Sequence, residues 1–295
     1  MTARLLLESN DVVGESIIWS PSDQCLYWVD IVGGRIHRLD PETGAHETWT
    51  TPELPTSIGL TKAGDFIVGL RRRIARWRPG GAFETFAVPE PDIGGNRLNE
   101  GVVAPDGSFW VGTMQDNIGP DLGPREMGAP AGTLYRVAPD GVVTRLTSEL
   151  FGITNTMVWL DDGRFVTADT LANELYIYEY DPAGVRLRDR RVLDRIERGL
   201  PDGSTRDNAG TIYNARVAGG AAIAKINPAN GAVAFVDLPC ASPTSCTFGG
   251  RDLRTLYVTS SRFGMSAEAL EGNRFDGSLY AVESEGRGIE ASRFG

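Results

Sequence analysis

The chain repeats one pattern six times, in which a short apolar strand follows a polar position at a nearly constant distance. The strands are predicted at residues 26–30, 66–70, 109–113, 165–169, 212–216 and 256–260. Counting back fourteen residues from the end of each strand, or fifteen in the first repeat, reaches Glu15, Thr56, Asn99, Asn155, Asp202 and Cys246. The repeat period of about 40 to 56 residues is that of a propeller blade or a solenoid unit, so a repeat architecture is expected.

Each marked strand is followed by a second predicted strand, and five of the six second strands end in a turn that contains proline and glycine. In such turns proline presets φ, and glycine takes the φ > 0 position that closes a hairpin. Alternating β-branched and aromatic residues without a helical period favour strands. We therefore predict one all-β domain over residues 1–295: a six-bladed β-propeller of four-stranded antiparallel blades with a central metal site. We expect Ala3 to Glu8 to close the ring by pairing into the last blade beside Ile289 to Phe294.

The six counted-back residues are expected to form a ring at the mouth of the channel, because the loops that enter the innermost strands meet at one end of a propeller. Buried carboxylates are costly unless they are paired or bound to a metal. We therefore interpret four members of the ring as metal or ligand contacts: Glu15, Asn99, Asn155 and Asp202. Thr56 and Cys246 are expected to bond buried backbone instead. Hard oxygen ligands suit Ca²⁺, Mg²⁺ or Mn²⁺, and Zn²⁺ remains possible.

Charge and composition exclude several classes of protein. The net charge is −10, from 29 basic and 39 acidic residues, which argues against nucleic acid and anionic membranes as partners. No apolar run approaches the ~18 residues of a membrane span, the N-terminal segment does not resemble a secretory signal, and three scattered cysteines indicate a reduced, cytoplasmic setting. The two histidines, His37 and His46, lie away from the ring, which argues against a Ser-His-Asp triad.

Two further segments are predicted to contact a substrate. Arg97, in the run GGNRLNEG, offers a fixed cation with five donors for a carbonyl, carboxylate or hydroxyl group. After Thr113 the chain continues with a Gly/Pro-rich insertion of about eighteen residues within a blade, MQDNIGPDLGPREMGAPAG, which we call the lid. Loops this long in compact domains are often functional lids. We expect this lid to bring Asp116, Asn117 and Arg125 toward a ligand at the channel mouth.

Six segments, taken in order, resemble the SMP-30/gluconolactonase/LRE family, which includes regucalcin and bacterial sugar lactonases. They are GESIIW, NRLNEG, FWVGTM, ITN, GLPDG and PTSCTFGG, and the similarity extends from about Val13 to Gly277. The resemblance implies a six-bladed propeller with one divalent ion at the channel mouth. It implies Glu15, Asn155 and Asp202 as metal ligands, Arg97 and Asn99 as substrate contacts, and Asp202 also as general base.

The chain departs from the family pattern at three positions. Thr156 stands where the family usually has glycine after the metal-binding asparagine, and threonine resists backbone angles that glycine permits. Asn214 replaces an apolar residue in the strand after Asp202, and Asn117 stands where regucalcin-like members carry a glutamate that faces the substrate. All three departures are expected to affect which sugar fits.

These features predict a cytoplasmic, metal-dependent lactonase of carbohydrate catabolism that opens an aldonolactone to its sugar acid. Calcium is the expected cofactor, a small sugar lactone the expected partner, and Arg97, Asn99 and Asn117 the expected substrate-binding residues. The alternatives are a phosphotriesterase or aryl-esterase on the same metal site, a calcium-binding regulatory propeller without catalysis, and an oligosaccharide-binding propeller.

Overall fold

The computed structural model describes residues 2–295, in which twenty-four strands form six four-stranded antiparallel sheets. The first strand, β1, spans Ala3–Leu7. Blade 1 comprises β2 (Gly14–Ser20), β3 (Cys25–Asp30), β4 (Arg35–Leu39) and β5 (His46–Thr50). Blade 2 comprises β6 (Pro55–Leu60), β7 (Phe66–Leu70), β8 (Ile74–Trp77) and β9 (Glu84–Ala87). Blade 3 comprises β10 (Asn96–Val103), β11 (Phe109–Gln115), β12 (Leu134–Val137) and β13 (Val143–Arg145).

The second half of the chain repeats this arrangement. Blade 4 comprises β14 (Thr154–Trp159), β15 (Arg164–Asp169), β16 (Glu174–Asp181) and β17 (Arg186–Asp194). Blade 5 comprises β18 (Leu200–Arg206), β19 (Ile212–Val217), β20 (Ala222–Ile226) and β21 (Val233–Asp237). Blade 6 comprises β22 (Pro243–Gly249), β23 (Thr255–Ser260), β24 (Leu279–Glu283) and, as its outermost strand, β1. A short helix, α1 (Ala267–Gly272), lies in the connection between β23 and β24.

The six sheets are arranged as a closed ring, which confirms the predicted six-bladed propeller. Each innermost strand contacts those of the two neighbouring blades, and β2 of blade 1 contacts β22 of blade 6. Apolar side chains fill the space between blades. Between blades 3 and 4, for example, the Trp110 ring lies 4.9 Å from that of Trp159 and 4.8 Å from that of Phe165, measured between centroids. Burial of this kind is the main favourable contribution to the free energy of folding.

The ring is closed by the N-terminal strand, as predicted, although its neighbour differs from the expectation. β1 pairs antiparallel with β24, with Ala3 opposite Val282 and Leu5 opposite Tyr280. The expectation that β1 lies beside Ile289 to Phe294 is wrong. Phe294 instead forms a parallel bridge with Thr61 of blade 2, and its buried ring packs among apolar residues of blades 2 and 3.

No helix found between residues 2 and 295 could cross a membrane. The helix α1 has six residues, whereas a span needs about 20.

Candidate functional site

The residues of the predicted ring lie at β-bulges near the start of the innermost strands. In each of the six blades the register between the first and second strands shifts by one residue at this point. A bulge bends the strand and changes the direction of a side chain. The bulge in blade 1 gives Ser16 a φ of 49°, and the bulge in blade 4 gives Thr156 a φ of 54°. The residues just before these two, Glu15 and Asn155, both line the channel mouth.

The sixth member of the ring is Thr244, so the ring position predicted for Cys246 is wrong, although the buried backbone contact expected of its side chain is present. Pro243 pairs with Ser260 in blade 6, as Pro201 pairs with Arg216 in blade 5, which makes Thr244 the counterpart of Asp202. β22 and β23 each extend one residue further toward their connecting turn than β18 and β19 do in blade 5. The distance from the ring residue to the end of the second strand is therefore sixteen residues in blade 6 and not fourteen, and the count reached Cys246 instead of Thr244. The Cys246 thiol donates to the Tyr213 carbonyl at 3.2 Å, as a buried backbone contact.

The ring surrounds a cavity of about 280 Å³ at one end of the channel. Its floor is polar and holds all the predicted site residues: Glu15, Arg97, Asn99, Asn117, Asn155 and Asp202. Four apolar residues from blade 1, the lid and the loop after β23 form a continuous side that we call the apolar wall: Val13, Ile31, Ile118 and Phe263. Thr56 is buried and is not among the lining residues, and its hydroxyl has no hydrogen-bond partner among the described residues, so the bond to buried backbone expected of it is not formed.

The carboxyl groups of Glu15 and Asp202 lie close enough to share a proton, and each residue is 8% exposed. Burial raises the pKa of Glu15 to about 7, although the Ser16 backbone N–H donates to Glu15 Oε2 at 2.8 Å and opposes the shift. The pKa of Asp202 lies well above its usual value because of burial and, next, because of the negative charge of Glu15. The two carboxylates therefore repel each other, and the positive charge of Arg97 offsets this only in part.

Asn155 completes a set of three oxygen donors. Its Nδ2 donates to Thr170 Oγ1 at 2.8 Å, and Thr170 in turn donates to the Pro201 carbonyl at 2.8 Å. This leaves Asn155 Oδ1 available in the cavity, where Asn99 Nδ2 donates to it at 3.2 Å. The second N–H of Asn99 donates to the Thr154 carbonyl at 2.8 Å.

These three residues fit a divalent metal ion. Two buried carboxylates that repel each other gain from a shared cation, and a neighbouring amide oxygen adds a third hard ligand. The residues that fit this description, Glu15, Asn155 and Asp202, are the three that the family resemblance implies.

Arg97 is buried and held by neighbouring amides. Nη1 donates to Leu98 O at 2.9 Å and to Asn99 Oδ1 at 2.8 Å, while Nε and Nη2 donate to Asn117 Oδ1 at 3.2 and 3.0 Å. Burial lowers the pKa of Arg97 to about 10, so the guanidinium is charged at neutral pH. The lid residue Asn117 is thereby fixed in the cavity floor.

The lid is anchored to blade 2. Arg71 donates from Nε to Asp116 Oδ2 at 2.7 Å and from Nη2 to the Ile118 carbonyl at 2.9 Å. Asp116 is thus held by Arg71 and does not line the cavity, contrary to expectation. Arg125 is exposed and also lies outside the lining, so of the three lid residues predicted to face a ligand only Asn117 does so.

Thr156 and Asn214, two departures from the family pattern, contact each other behind the site. Both donate to the main-chain carbonyl of Asp202, Thr156 from its hydroxyl and Asn214 from Nδ2 at 3.0 Å. The fully buried Arg216 donates from Nη1 to Asn214 Oδ1 at 2.9 Å. Thr156, which follows the expected ligand Asn155, is therefore hydrogen-bonded to the main chain of Asp202, another expected ligand. We call Thr156, Asn214 and Arg216 the blade 4–5 clamp.

A second group of side chains that could hold a metal ion, Asp11, Asp30 and His37, lies in and beside blade 1. The Arg35 guanidinium lies 2.7 Å from Asp30 and 3.6 Å from Asp11, and His37 Nε2 lies 3.1 Å from Asp11. None of these residues lines the cavity. We therefore interpret this group as a structural ion network, and His37 and His46 lie outside the site as predicted.

Sequence reasoning missed three residues of the channel. Thr244 could have been found because proline precedes the ring residue in Pro55-Thr56, Pro201-Asp202 and Pro243-Thr244. Thr170 directly follows the predicted strand at residues 165–169, but nothing in the sequence around it indicates that it lines the channel. Glu100 faces a second cavity, of about 170 Å³, at the other end of the channel, and burial raises the pKa of its carboxyl to about 8.

Comparison with known proteins yields relatives along nearly the whole chain. A 6-deoxy-6-sulfogluconolactonase of Pseudomonas putida is 34% identical, over 95% of this chain and 94% of the relative. A pentonolactonase of Haloferax volcanii is 32% identical, over 93% and 91% of the two chains. The crystal structure of a calcium-binding protein, regucalcin, from Agrobacterium tumefaciens superposes with a TM-score of 0.90 at 25% identity and covers 100% of this chain and 97% of that one.

The sequence profile of the SMP-30/Gluconolactonase/LRE-like region matches residues 13–262, which include every residue of the cavity floor. With that match, the closed six-bladed ring and relatives above 30% identity, the chain belongs to the SMP-30/gluconolactonase/LRE-like family.

Proposed function

We propose that the protein is a divalent-metal-dependent lactonase that hydrolyses a sugar lactone to the corresponding sugar acid. The observation that carries the proposal is the buried pair Glu15 and Asp202, which faces a substrate-sized cavity beside Asn155 Oδ1. Relatives that are named as sugar lactonases support the class of substrate. We place the reaction in carbohydrate catabolism and in the cytoplasm, a location supported by three buried cysteines that form no disulfide.

Glu15, Asn155 and Asp202 would hold the metal ion. All three donors are hard oxygens, and we propose Ca²⁺ as the resident ion, with Mg²⁺, Mn²⁺ and Zn²⁺ as competitors. When bound, the ion supplies the positive charge that polarises the lactone carbonyl and stabilises the negative charge of the transition state.

The chain's own residues supply the remaining chemistry. A carboxylate oxygen of Asp202 takes a proton from water while the water oxygen attacks the carbonyl carbon. The ring C–O bond then breaks, the ring oxygen leaves as a hydroxyl after it gains a proton, and the new carboxylic acid ionises. Arg97 and Asn117, fixed against each other, bind and orient the lactone on the cavity floor. Each turnover releases one proton, which a pH indicator detects.

Replacement of the proposed base tests this mechanism. Asp202→Asn keeps an oxygen donor but cannot accept the proton, so we expect kcat to fall by about 10²-fold or more while metal affinity falls less. The assay uses chelator-stripped protein with Ca²⁺, Mn²⁺, Mg²⁺ or Zn²⁺ restored and a panel of aldonolactones, with metal affinity measured by calorimetry. Asp237→Asn, which changes an exposed carboxylate of the same blade, serves as the matched control. Unchanged lactone hydrolysis in Asp202→Asn contradicts the assigned role.

One observation favours an aryl-esterase as the second candidate. The apolar wall could pack against an aromatic acyl or leaving group as well as against a sugar. Phenyl acetate and a p-nitrophenyl ester in the same assay separate the two activities, and faster turnover of an aryl ester than of every lactone would favour the esterase. Metal binding without turnover of either class would favour a calcium-binding regulatory propeller.

A further inference from the structure

The floor of the cavity has few polar groups left for a substrate. Of the five N–H groups of Arg97, four donate to protein acceptors and one on Nη2 remains. Both N–H groups and the oxygen of the Asn99 side chain are engaged. Asn99 therefore orients Arg97 and Asn155, and the direct substrate contact predicted for it can form without breaking a bond only at the second lone pair of Oδ1.

Three hydroxyl groups of the lining also donate to protein, and that of Thr244 donates to the Gly14 carbonyl. The Thr170 hydroxyl donates to Pro201 O and accepts from Asn155, and the Ser261 hydroxyl donates to Val12 O and accepts from the Phe263 N–H. Among the described lining residues other than Arg97, the side-chain N–H and O–H groups that donate to no protein acceptor are the amide N–H₂ of Asn117 and the hydroxyl of Ser242. Together with one N–H of Arg97, these can orient a lactone ring with a small number of hydroxyls.

The lining offers no second cation for an anionic substituent. Arg97 is the one arginine or lysine among the described residues that line the cavity. Arg71 is bound to Asp116, and Arg125 is exposed on the lid. A sulfonate or carboxylate would need charge-assisted donors in a fixed geometry, and the single free N–H of Arg97 does not supply them.

The apolar wall faces this floor, and Ile153 and Val217 extend the apolar lining. A hydroxyl placed against these side chains loses its water and gains no partner, whereas a methyl group placed there gains contact. The discrimination is modest, because an apolar pocket rejects an added hydroxyl by about 10- to 100-fold at most.

From these contacts we infer that the substrate is a neutral 6-deoxyaldonolactone, whose terminal methyl group packs against the apolar wall while the ring hydroxyls meet Arg97, Asn117 and Ser242. This inference rests on the proposed lactonase function. It sets this chain apart from a sulfonated-sugar lactonase, although a relative with that name is 34% identical.

The test compares lactones that differ by one oxygen. L-Rhamnono-1,4-lactone and L-mannono-1,4-lactone differ at C6, as do L-fucono-1,4-lactone and L-galactono-1,4-lactone. We expect kcat/KM to be about tenfold higher for the deoxy member of each pair. 6-Deoxy-6-sulfogluconolactone should be hydrolysed no faster than gluconolactone. Equal or lower kcat/KM for the deoxy members, or a preference for the sulfonated lactone, would overturn the inference and leave the lactonase function standing.

A variant and a binding measurement complete the test. Val13→Thr places a hydroxyl in the apolar wall at almost unchanged volume and should reduce the deoxy preference at least threefold, while Val142→Thr, at a residue 56% exposed in blade 3, should not. Calorimetric binding of 1,4-anhydro-L-rhamnitol against 1,4-anhydro-L-mannitol, which cannot be hydrolysed, reads the same preference without turnover. Tighter binding of the deoxy compound without hydrolysis of any lactone would support the apolar subsite and overturn the proposed function. No difference in binding would overturn the subsite.

Discussion

Thr156 adopts a backbone conformation that β-branched residues rarely tolerate, with a φ of 54°. Such a conformation costs on the order of 1–2 kcal/mol. The cost is offset by the hydroxyl group, which donates to the Asp202 carbonyl and lies 3.0 Å from Ser204 Oγ. Where glycine would adopt this conformation without strain, Thr156 is instead stabilised in it by hydrogen bonds to β18, the strand that carries the expected ligand Asp202.

Two substitutions at Thr156 separate the strain from the hydrogen bonds. Thr156→Ala keeps the strain and loses the bonds, so we expect the free energy of unfolding to fall by about 1–2 kcal/mol. Thr156→Gly loses the same bonds but removes the strain, so it should be more stable than Thr156→Ala by about 1 kcal/mol. Urea denaturation of the two variants measures the difference. Equal stability of the two variants would show that the positive φ stores no strain.

The carboxyl pair makes the stability of the metal-free protein depend on pH. The folded-state pKa of Glu15 is raised from 4.5 to about 7, and that of Asp202 is also raised. Between about pH 4.5 and 7 the folded protein therefore holds a proton that the unfolded chain has released, so stability falls as pH rises through this window. The slope is about 1.4 kcal/mol per pH unit for each proton held.

Metal binding should remove the part of this dependence that the pair contributes, because the ion displaces the proton from the two carboxylates. Thermal unfolding in chelator and in excess Ca²⁺, measured from pH 5 to 8, gives both curves. We expect a downward slope in chelator and a shallower one in Ca²⁺, where the raised pKa of Glu100 still contributes. Glu15→Gln should reduce the slope in chelator, and the part contributed by burial of Asp202 and Glu100 should remain. A flat curve for the metal-free wild-type protein would contradict the raised pKa values.

At the scale of elements, the lid after β11 is predicted to act through its anchor on blade 2. Arg71→Ala removes the bonds to Asp116 and to the Ile118 carbonyl and frees the segment that carries Asn117. We expect KM to rise by about tenfold with a smaller change in kcat, because binding contacts rather than the proton acceptor are affected. Arg72→Ala, which changes an exposed neighbour bonded to Ile93 O, should leave KM unchanged.

A second readout reports the lid directly. Arg125 lies exposed on the lid and is a site for trypsin, so limited proteolysis should cleave there faster in Arg71→Ala than in Arg72→Ala. Equal cleavage rates together with equal KM values would show that Arg71 does not hold the lid.

Much of the ring could be predicted from strand spacing, because each blade carries the same one-residue bulge at the channel mouth. The count failed at Cys246 because the strands of the blade 6 hairpin are longer, and hairpin length is set by pairing partners that the sequence does not reveal. Asp116 was misplaced for a related reason. Its partner Arg71 lies 45 residues earlier in another blade, and a contact between blades leaves no local pattern.

At the scale of the whole molecule, the sequence repeat predicted the number of blades correctly. It did not predict how the C-terminal residues around Phe294 pack. The role of β1 followed from the general need to close a propeller, whereas the position of Phe294 depends on a gap between blades 2 and 3. The apolar side of the cavity was not predicted either. The apolar wall combines residues from blade 1, the lid and the loop after β23, which come together only after the ring has closed.

Closure of the ring by β1 makes the N-terminus essential for the stability of all six blades. Without residues 2–7, β24 becomes an exposed edge and Ala3 and Leu5 no longer cover the core of blade 6. We expect this deletion to lower the melting temperature by about 10 °C or more. It should also weaken Ca²⁺ binding, since Thr244 of blade 6 donates to the carbonyl of Gly14, the residue before Glu15. Leu5→Ser should reproduce part of the loss and Arg4→Ser, at an exposed position of the same strand, should not. If the truncated protein kept its melting temperature and its Ca²⁺ affinity, the ring would be held by the contacts between β2 and β22 alone.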